Sequence, residues 1–207
     1  MKTLSEILAE AAARTKAVPA SAVLHPAVAA WPWRYQAYHP ELRPVLPAVL
    51  RWCSEVLLGR EPHWLTLLGP SGIGKTFLLR QALEFCRAHA DLWKVRTRTG
   101  WRLPSAVHVL PADDLDDFRA PKEYAHRDLC YVEDLGSGPG LDRGSGAVLA
   151  SRLAELLQLR TGRWTLLDAN LSRAEIEQKI DPRIASRLKR DGSVLIEISD
   201  EVPDYFG

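Results

Sequence analysis

One segment of the sequence reads Gly69-Pro70-Ser71-Gly72-Ile73-Gly74-Lys75-Thr76. Its pattern, G-x-x-x-x-G-K-[ST], is that of a P-loop, whose glycines let backbone N–H groups turn towards a bound phosphate. A short apolar run over residues 64–68 precedes the segment, and residues 77–85 follow it with apolar side chains at helical spacing. The segment therefore has the strand, loop and helix context that a phosphate-binding loop requires.

The residue types of this loop predict distinct roles in holding a nucleotide. Lys75 is expected to reach the β- and γ-phosphates, and the Thr76 hydroxyl is expected to be a ligand of Mg²⁺. The helix that starts near Lys75 directs its positive end at the same anion. All eight residues of the loop are therefore predicted nucleotide-binding residues, and Thr76 is also a predicted metal ligand.

Composition favours a single globular domain. The chain has 207 residues and a formal net charge of +1, so overall charge predicts neither nucleic acid nor a membrane as partner. Its widely spaced cysteines Cys53, Cys86 and Cys130 lie in apolar contexts and without metal-ligand spacing, which is typical of reduced core residues in a cytosolic protein. No apolar run approaches the ~20 residues that span a bilayer, so a cytoplasmic protein without a membrane partner is expected.

The order of apolar and polar runs predicts an α/β fold with a five-stranded parallel sheet. Residues 1–33 comprise an amphipathic helix over 4–16, which packs either on its own domain or on a partner, and an arm rich in proline and alanine; residues 34–207 form the main domain. Strands and helices alternate along that domain, which requires right-handed crossovers. Strands are expected at 64–68, 106–110, 129–132, 164–170 and 193–198, and helices at 41–58, 77–90, 147–161, 173–180 and 181–190.

Polar residues at the ends of two predicted strands are candidate catalytic residues. Glu133 and Asp134 follow the apolar strand 129–132, where one carboxylate can hold the water shell of Mg²⁺ and the other can polarise an attacking water. Asn170 ends the strand 164–170 and is either a contact for the γ-phosphate and water or a turn former. Arg183 and Arg187 lie four residues apart on one face of a basic helical segment.

A basic and aromatic segment over residues 93–103 predicts a hairpin or an extended loop. Two interpretations stay open: a positive groove whose aromatic side chains hold single-stranded DNA, or a solvated edge hairpin whose charges discourage strand pairing. The basic residues of this candidate DNA-binding patch are Lys94, Arg96, Arg98 and Arg102, and the aromatic ones are Trp93 and Trp101.

The order of these motifs over about residues 34–200 resembles the AAA+ ATPases, and among them the bacterial helicase loaders of the DnaC-like and IstB-like group. In this resemblance the P-loop is Walker A, residues 129–134 are Walker B, residues 165–172 are the sensor-1 strand, and residues 181–188 are the arginine-finger helix. The resemblance implies a three-layer P-loop NTPase fold of the AAA+ type, with ATP and Mg²⁺ as cofactors.

The same resemblance implies an ATPase that works as an oligomer in DNA replication. Glu133 would take the metal position with Thr76, and Asp134 would orient the attacking water. Arg187, and with it Arg183, would reach the γ-phosphate bound by a neighbouring copy of the chain. Loaders of this group grip single-stranded DNA and deliver a replicative helicase to it, so both are implied partners, together with self-association.

Several departures from the family pattern limit the resemblance. The family usually has Asp first in its Walker B pair, whereas Glu133 comes first here, which predicts slow hydrolysis. Asp168 stands where the family often has Thr. The segment before the domain is short, and no full C-terminal lid is expected after the last strand. A transposition helper of the IstB type, a P-loop kinase of a small molecule and a nucleotide-gated scaffold that does not hydrolyse ATP are the alternatives.

Overall fold

The computed structural model describes residues 24–34, 42–93, 95–97, 100–115, 119–136, 146–190 and 193–198. The amphipathic helix expected at 4–16 lies outside these residues, as does the C-terminal segment 199–207, in which the absence of a full lid was expected.

The parallel sheet is confirmed. The strands are β1 (Trp64–Leu68), β2 (Val95–Thr97), β3 (Gly100–Arg102), β4 (Ala106–Val109), β5 (Leu129–Val132), β6 (Trp164–Ala169) and β7 (Ser193–Glu197). Within the described residues, five of them form one sheet in the order β4-β5-β6-β1-β7, and every neighbouring pair is parallel. The antiparallel pair β2–β3 forms the hairpin expected within residues 93–103.

Helices lie on both faces of the sheet. They are α1 (Pro26–Ala30), α2 (Leu46–Leu58), α3 (Lys75–Ala88), α4 (Pro111–Asp114), α5 (Ala120–Ala125), α6 (Gly146–Leu159), α7 (Arg173–Glu175) and α8 (Pro182–Arg187), with one π-helical turn, Ile176–Ile180, between α7 and α8. One apolar cluster joins α2 and α3 to the first face, and a second joins α5, α6 and α8 to the opposite face. Among the described helices, none is both long and apolar enough to cross a membrane.

The segment before the main domain differs from the extended arm that its prolines predict. Residues 26–30 form the short helix α1, because Pro26 suits the first helical turn and the His25 ring accepts a hydrogen bond from the Ala27 N–H. Val28 is fully buried, and Trp31 packs edge-on against Phe85 of α3. Residues 24–34 therefore pack on the same core as the sheet, and the domain boundary at residue 33 stays a prediction.

The three cysteines lie in the core as expected. Cys53, Cys86 and Cys130 are buried and carry free thiols. Burial raises the pKa of Cys53 and raises that of Cys130 to about 11, so these thiols stay protonated at neutral pH.

The sheet places the P-loop at its carboxyl edge, between β7 and β6. Gly69 directly follows β1 and has a φ of 141°, and a Cβ on it would lie 2.8 Å from the Ile198 carbonyl oxygen. Only glycine allows this close approach of two backbone segments. Because all five strands are parallel, the residues that follow β5 and β6 lie at the same edge as the loop.

A buried arginine lies at the opposite edge of the sheet, where the strands begin. Arg160, just after α6, is fully buried, and its guanidinium donates to the Thr165 hydroxyl at 2.9 Å and to the Arg127 carbonyl at 2.8 Å. It also donates to the carbonyls of Tyr124 and Trp164. Burial lowers the pKa of Arg160 to about 10, so it remains charged at neutral pH and ties the ends of α5 and α6 to the start of β6.

Replacing Arg160 by methionine is expected to lower the free energy of unfolding by at least about 3 kcal/mol, because several buried or partly buried carbonyls lose a charged donor. The variant Arg163→Met is the control, since Arg163 is only partly buried and its contact with the His126 carbonyl is 3.5 Å long. Its effect is expected within about 0.5 kcal/mol. Urea unfolding followed by circular dichroism measures both, and equal midpoints for the two variants would contradict the role given to Arg160.

Candidate nucleotide-binding site

Lys75 lies inside the loop that carries it. Gly74, with a φ of 96°, is the last residue before α3, and Lys75 is the first residue of that helix. The Lys75 side chain is 3% exposed, and its ammonium donates to the Pro70 carbonyl at 2.5 Å and to Asn170 Oδ1 at 3.0 Å. Burial lowers the pKa of Lys75, and the nearby carboxylates of Asp168 and Asp134 partly offset that effect. A cation is thus held at the point where the P-loop pattern expects phosphates.

A buried carboxylate lies beside Thr76. Asp168, on β6, is 1% exposed and its Oδ2 accepts the hydroxyl proton of Thr76. Its Oδ1 accepts from the Tyr131 hydroxyl at 3.1 Å and from the Asp134 N–H at 2.9 Å. Burial raises the pKa of Asp168, and this effect outweighs the hydrogen bonds, which lower it. The P-loop helix, β5 and β6 therefore meet at one carboxylate.

Asp134 and Asn170 extend this network to Lys75. Asn170 Nδ2 donates to Asp134 Oδ1 at 2.8 Å, while its Oδ1 accepts from Lys75. Asp134 has a φ of 53°, the left-handed conformation that few residues other than glycine adopt. Such strain at the end of a strand is common where side chains serve a function. The structure thus brings together Lys75, Thr76, Asp134 and Asn170, all predicted from the sequence.

Glu133 lies in a separate group of contacts. Its carboxylate accepts two hydrogen bonds from Arg80 of α3, at 2.8 Å and 2.5 Å, and its Oε2 lies 2.7 Å from His108 Nε2. The hydrogen bond to Glu133 raises the pKa of Arg80. The His108 ring stacks on Tyr131 with centroids 5.0 Å apart. Thr76 therefore meets Asp168 rather than Glu133, and the metal role expected for Glu133 stays a prediction.

The two candidate finger arginines lie on α8 and bind groups near that helix. Arg183 forms an ion pair with Asp181, the N-cap of α8, at 2.6 Å. Arg187 donates to Gln158 Oε1 of α6 at 2.7 Å. Partial burial lowers the pKa of Arg187, and the neighbouring cations Arg190 and Arg183 add to this effect. Their expected role in a neighbouring copy's site stays a prediction.

One of the four basic residues of the candidate DNA-binding patch has a described side chain. Arg102 binds Asp128 with both guanidinium nitrogens, at 2.6 Å and 2.8 Å. Lys94 and Arg98 lie outside the described residues, and only the backbone of Arg96 is described, within β2. The DNA contacts therefore stay a prediction. Arg102 would have to contact DNA while it is paired with the Asp128 carboxylate, or leave that carboxylate.

The oxygen atoms around Thr76 suit Mg²⁺. Mg²⁺ prefers hard oxygen ligands and is usually held by one or two carboxylates together with substrate phosphates. The Thr76 hydroxyl and the carboxylates of Asp168 and Asp134 are donors of this kind. Among the described residues, no group of three or more His, Cys, Asp or Glu side chains could hold a metal without such help. The residues therefore fit an ion that arrives with a nucleotide.

Three groups of this site were not identified as functional from the sequence. Asp168 stands out in the sequence only as a departure from the family pattern, and no motif of the sequence includes Arg80 or His108. Asp168 is a charged residue in a largely apolar, buried strand, and this is a usable signal. Arg80 also lies four residues after Thr76, which places both on one side of α3.

Several solved structures have a similar fold. The DnaC helicase loader is 14% identical over 77% of this chain and 91% of its own, with a TM-score of 0.57. DnaI is 19% identical over 76% of this chain and 82% of its own, with a TM-score of 0.53. The replication initiator DnaA bound to AMPPCP and single-stranded DNA is 15% identical over 86% of this chain but 51% of its own, with a TM-score of 0.54.

Curated relatives include zinc import ATP-binding proteins ZnuC from two strains of Pseudomonas aeruginosa, 30% identical over 113 residues. The match covers 52% of this chain and 42% of theirs, so the chain spans less than half the length of these relatives. No protein-family model matches the chain. The structural likenesses confirm the expected fold: a three-layer α/β P-loop fold of the AAA+ type, similar to that of helicase loaders.

Replacing Asp168 by asparagine is expected to raise the free energy of unfolding at pH 7. The folded-state pKa of this carboxyl lies above its unfolded value of 3.8, so its ionised form opposes folding at neutral pH. That cost disappears once the pH falls below both values, so the advantage of the variant is expected to shrink towards pH 3.8 and below. Urea unfolding across this range measures it, with the exposed Glu155→Gln as control. Lower stability of Asp168→Asn at pH 7 would contradict the expectation.

Proposed function

We propose that this protein binds ATP with Mg²⁺, hydrolyses it slowly as an oligomer, and acts in the cytoplasm as a loader that brings a replicative helicase to single-stranded DNA. The observation that carries the proposal is the hydrogen-bonded chain from Lys75 through Asn170 to Asp134 at the mouth of the P-loop. It links a phosphate-binding cation to a carboxylate that can act on water.

The phosphate site is supported by charge and by backbone geometry. Lys75 is buried, and its bonds to the Pro70 carbonyl and Asn170 are of the kind that a phosphate oxygen can replace. Gly69, Gly72 and Gly74 have positive φ angles, which let successive N–H groups turn inward. Mg²⁺ bound there would neutralise charge that develops on the phosphates. The similarity to ATP-binding proteins named ZnuC is consistent with ATP as the nucleotide.

Hydrolysis requires a group that orients water and a cation that stabilises the transition state. Asp134 accepts a hydrogen bond from Asn170, and together they would orient a water beside the γ-phosphate. Arg187 on α8 is bound to a neutral amide, that of Gln158, rather than to a carboxylate, so a phosphate can displace that contact at little cost. An arginine supplied by a neighbouring copy can raise the rate by about 10³–10⁵.

The replication role is supported by the kinds of protein that share the fold. DnaC is a helicase loader, and the DnaA structure holds AMPPCP and single-stranded DNA. The β2–β3 hairpin adds a basic and aromatic segment of the type that binds single strands.

Lys75→Ala is expected to weaken ATP binding by about 10- to 100-fold, because it removes charged hydrogen bonds to the phosphates. A fluorescent ATP analogue measures the affinity, with the exposed Lys189→Ala as control. The wild type is expected to bind single-stranded DNA and to capture the host's replicative helicase with ATP present, and Lys75→Ala to do neither. ATP binding without either partner would contradict the loader role and leave nucleotide binding intact.

Arg187→Ala is expected to lower the rate of ATP hydrolysis by up to about 10³-fold without changing ATP affinity. Mixing it with Lys75→Ala, which is itself inactive, is expected to restore part of the rate, because a site between two copies then receives Lys75 from one and Arg187 from the other. Arg190→Ala is the control, since Arg190 also binds Gln158. A mixture no more active than its components would rule out a shared site.

A further inference from the structure

The P-loop helix offers two residues to two different carboxylates. Thr76 and Arg80 lie one turn apart on the side of α3 that faces the sheet. The Thr76 hydroxyl donates to Asp168 of β6, and the Arg80 guanidinium binds Glu133, which follows β5. The two carboxylates therefore have different partners on the same helix.

The register of the sheet explains why Asp168 can take this place. Val132 of β5 is level with Leu167 of β6, so Glu133 and Asp168 are the next residues along two neighbouring parallel strands. Side chains at the same level of neighbouring strands point to the same face. Both carboxylates thus face α3, and either strand could supply the one that meets Thr76.

The contacts of Glu133 leave it poorly placed for an ion at Thr76. Its side chain is 9% exposed, and Arg80 binds both of its oxygens. His108, stacked on Tyr131, lies within 2.7 Å of one of them. Moving Glu133 to a cation would break a two-point ion pair. Asp168, in contrast, already accepts a hydrogen bond from the hydroxyl that the P-loop pattern assigns to Mg²⁺.

We propose that Asp168, on β6, is the carboxylate that holds the water shell of Mg²⁺ beside Thr76, and that Arg80 keeps Glu133 away from the ion. This inference rests on the proposed binding of ATP with Mg²⁺. With the ion bound, the Thr76 hydroxyl would be one of its ligands, and Asp168 would hold its water shell in place of the hydrogen bond that it accepts from Thr76. The acidic pair after β5 then contributes Asp134 to the site through Asn170.

The test compares two isosteric variants, Asp168→Asn and Glu133→Gln, by the gain in ATP affinity on adding Mg²⁺. A fluorescent ATP analogue is titrated with excess Mg²⁺ and again with EDTA. Loss of a group that orients a metal's ligands typically costs about 10- to 100-fold in metal affinity, so Asp168→Asn is expected to lose a gain of that size. Glu133→Gln is expected to keep the Mg²⁺-dependent gain of the wild type. This readout is an equilibrium affinity and does not require hydrolysis.

The outcomes separate the inference from the proposed function. A wild type that binds ATP more tightly with Mg²⁺, an Asp168→Asn that does not and a Glu133→Gln that does would support the inference. A gain that Asp168→Asn keeps, or that both variants lose equally, would overturn the inference and leave ATP binding standing. A wild type that binds no ATP under either condition would overturn the proposed function, and the inference with it.

A measurement on the unmodified chain reports on the surroundings of the ion without any substitution. Mn²⁺ replaces Mg²⁺ in the ADP complex, and the chain is labelled with ¹³C at its glutamates only. Electron–nuclear double resonance then reports labelled carbons close to the ion. No glutamate coupling is expected, because Glu133 is held by two hydrogen bonds from Arg80. A coupling of the size that a carboxylate one water away from Mn²⁺ produces would overturn the inference.

Discussion

The carboxylate of Asp168 must be satisfied by hydrogen bonds, because an ion taken out of water loses solvation that only donors can replace. Three different elements supply those donors: the Thr76 hydroxyl from α3, the Tyr131 hydroxyl from β5, and the Asp134 N–H just after β5. The Leu135 N–H also donates a hydrogen bond to the backbone carbonyl of Asp168. One buried charge therefore fixes the P-loop helix against the ends of two strands, and the geometry of the whole edge depends on it.

The opposite charge in this network is also buried. Burial lowers the pKa of Lys75 and raises that of Asp168, because burial disfavours the charged form of each group. The opposite charge of the other group partly offsets this effect. Asn170 accepts a hydrogen bond from Lys75 at its Oδ1 and donates one to Asp134 from its Nδ2. Lys75 and Asp134 are thus linked through a single asparagine. Buried charges of this kind lower the stability of the fold, which is typical of sites that trade stability for function.

Much of this fold follows from local patterns in the sequence. The P-loop, the alternation of strands and helices, and the polar residues after β5 and β6 were all predicted, and the parallel sheet brings Lys75, Asp134 and Asn170 to one edge as their order implies. The partners of Glu133 were not predicted. They depend on which residues of neighbouring strands are level and on which turn of α3 faces them, and neither is encoded within one segment. The short helix α1 was missed because its prolines and alanines also suit an extended arm.

Side-chain length provides a physical reason for the different partners of the two carboxylates. Glutamate at position 133 has one methylene more than the aspartate that the family pattern expects, and its carboxylate reaches Arg80, one turn beyond Thr76 on α3. The shorter Asp168, level with it on the next strand, meets Thr76 instead. At the carboxyl edge of a parallel sheet the same space can thus be filled from either of two strands. A motif in one strand identifies the edge at which the polar side chains meet, whereas the contacts of each carboxylate depend on register and on side-chain length across the sheet.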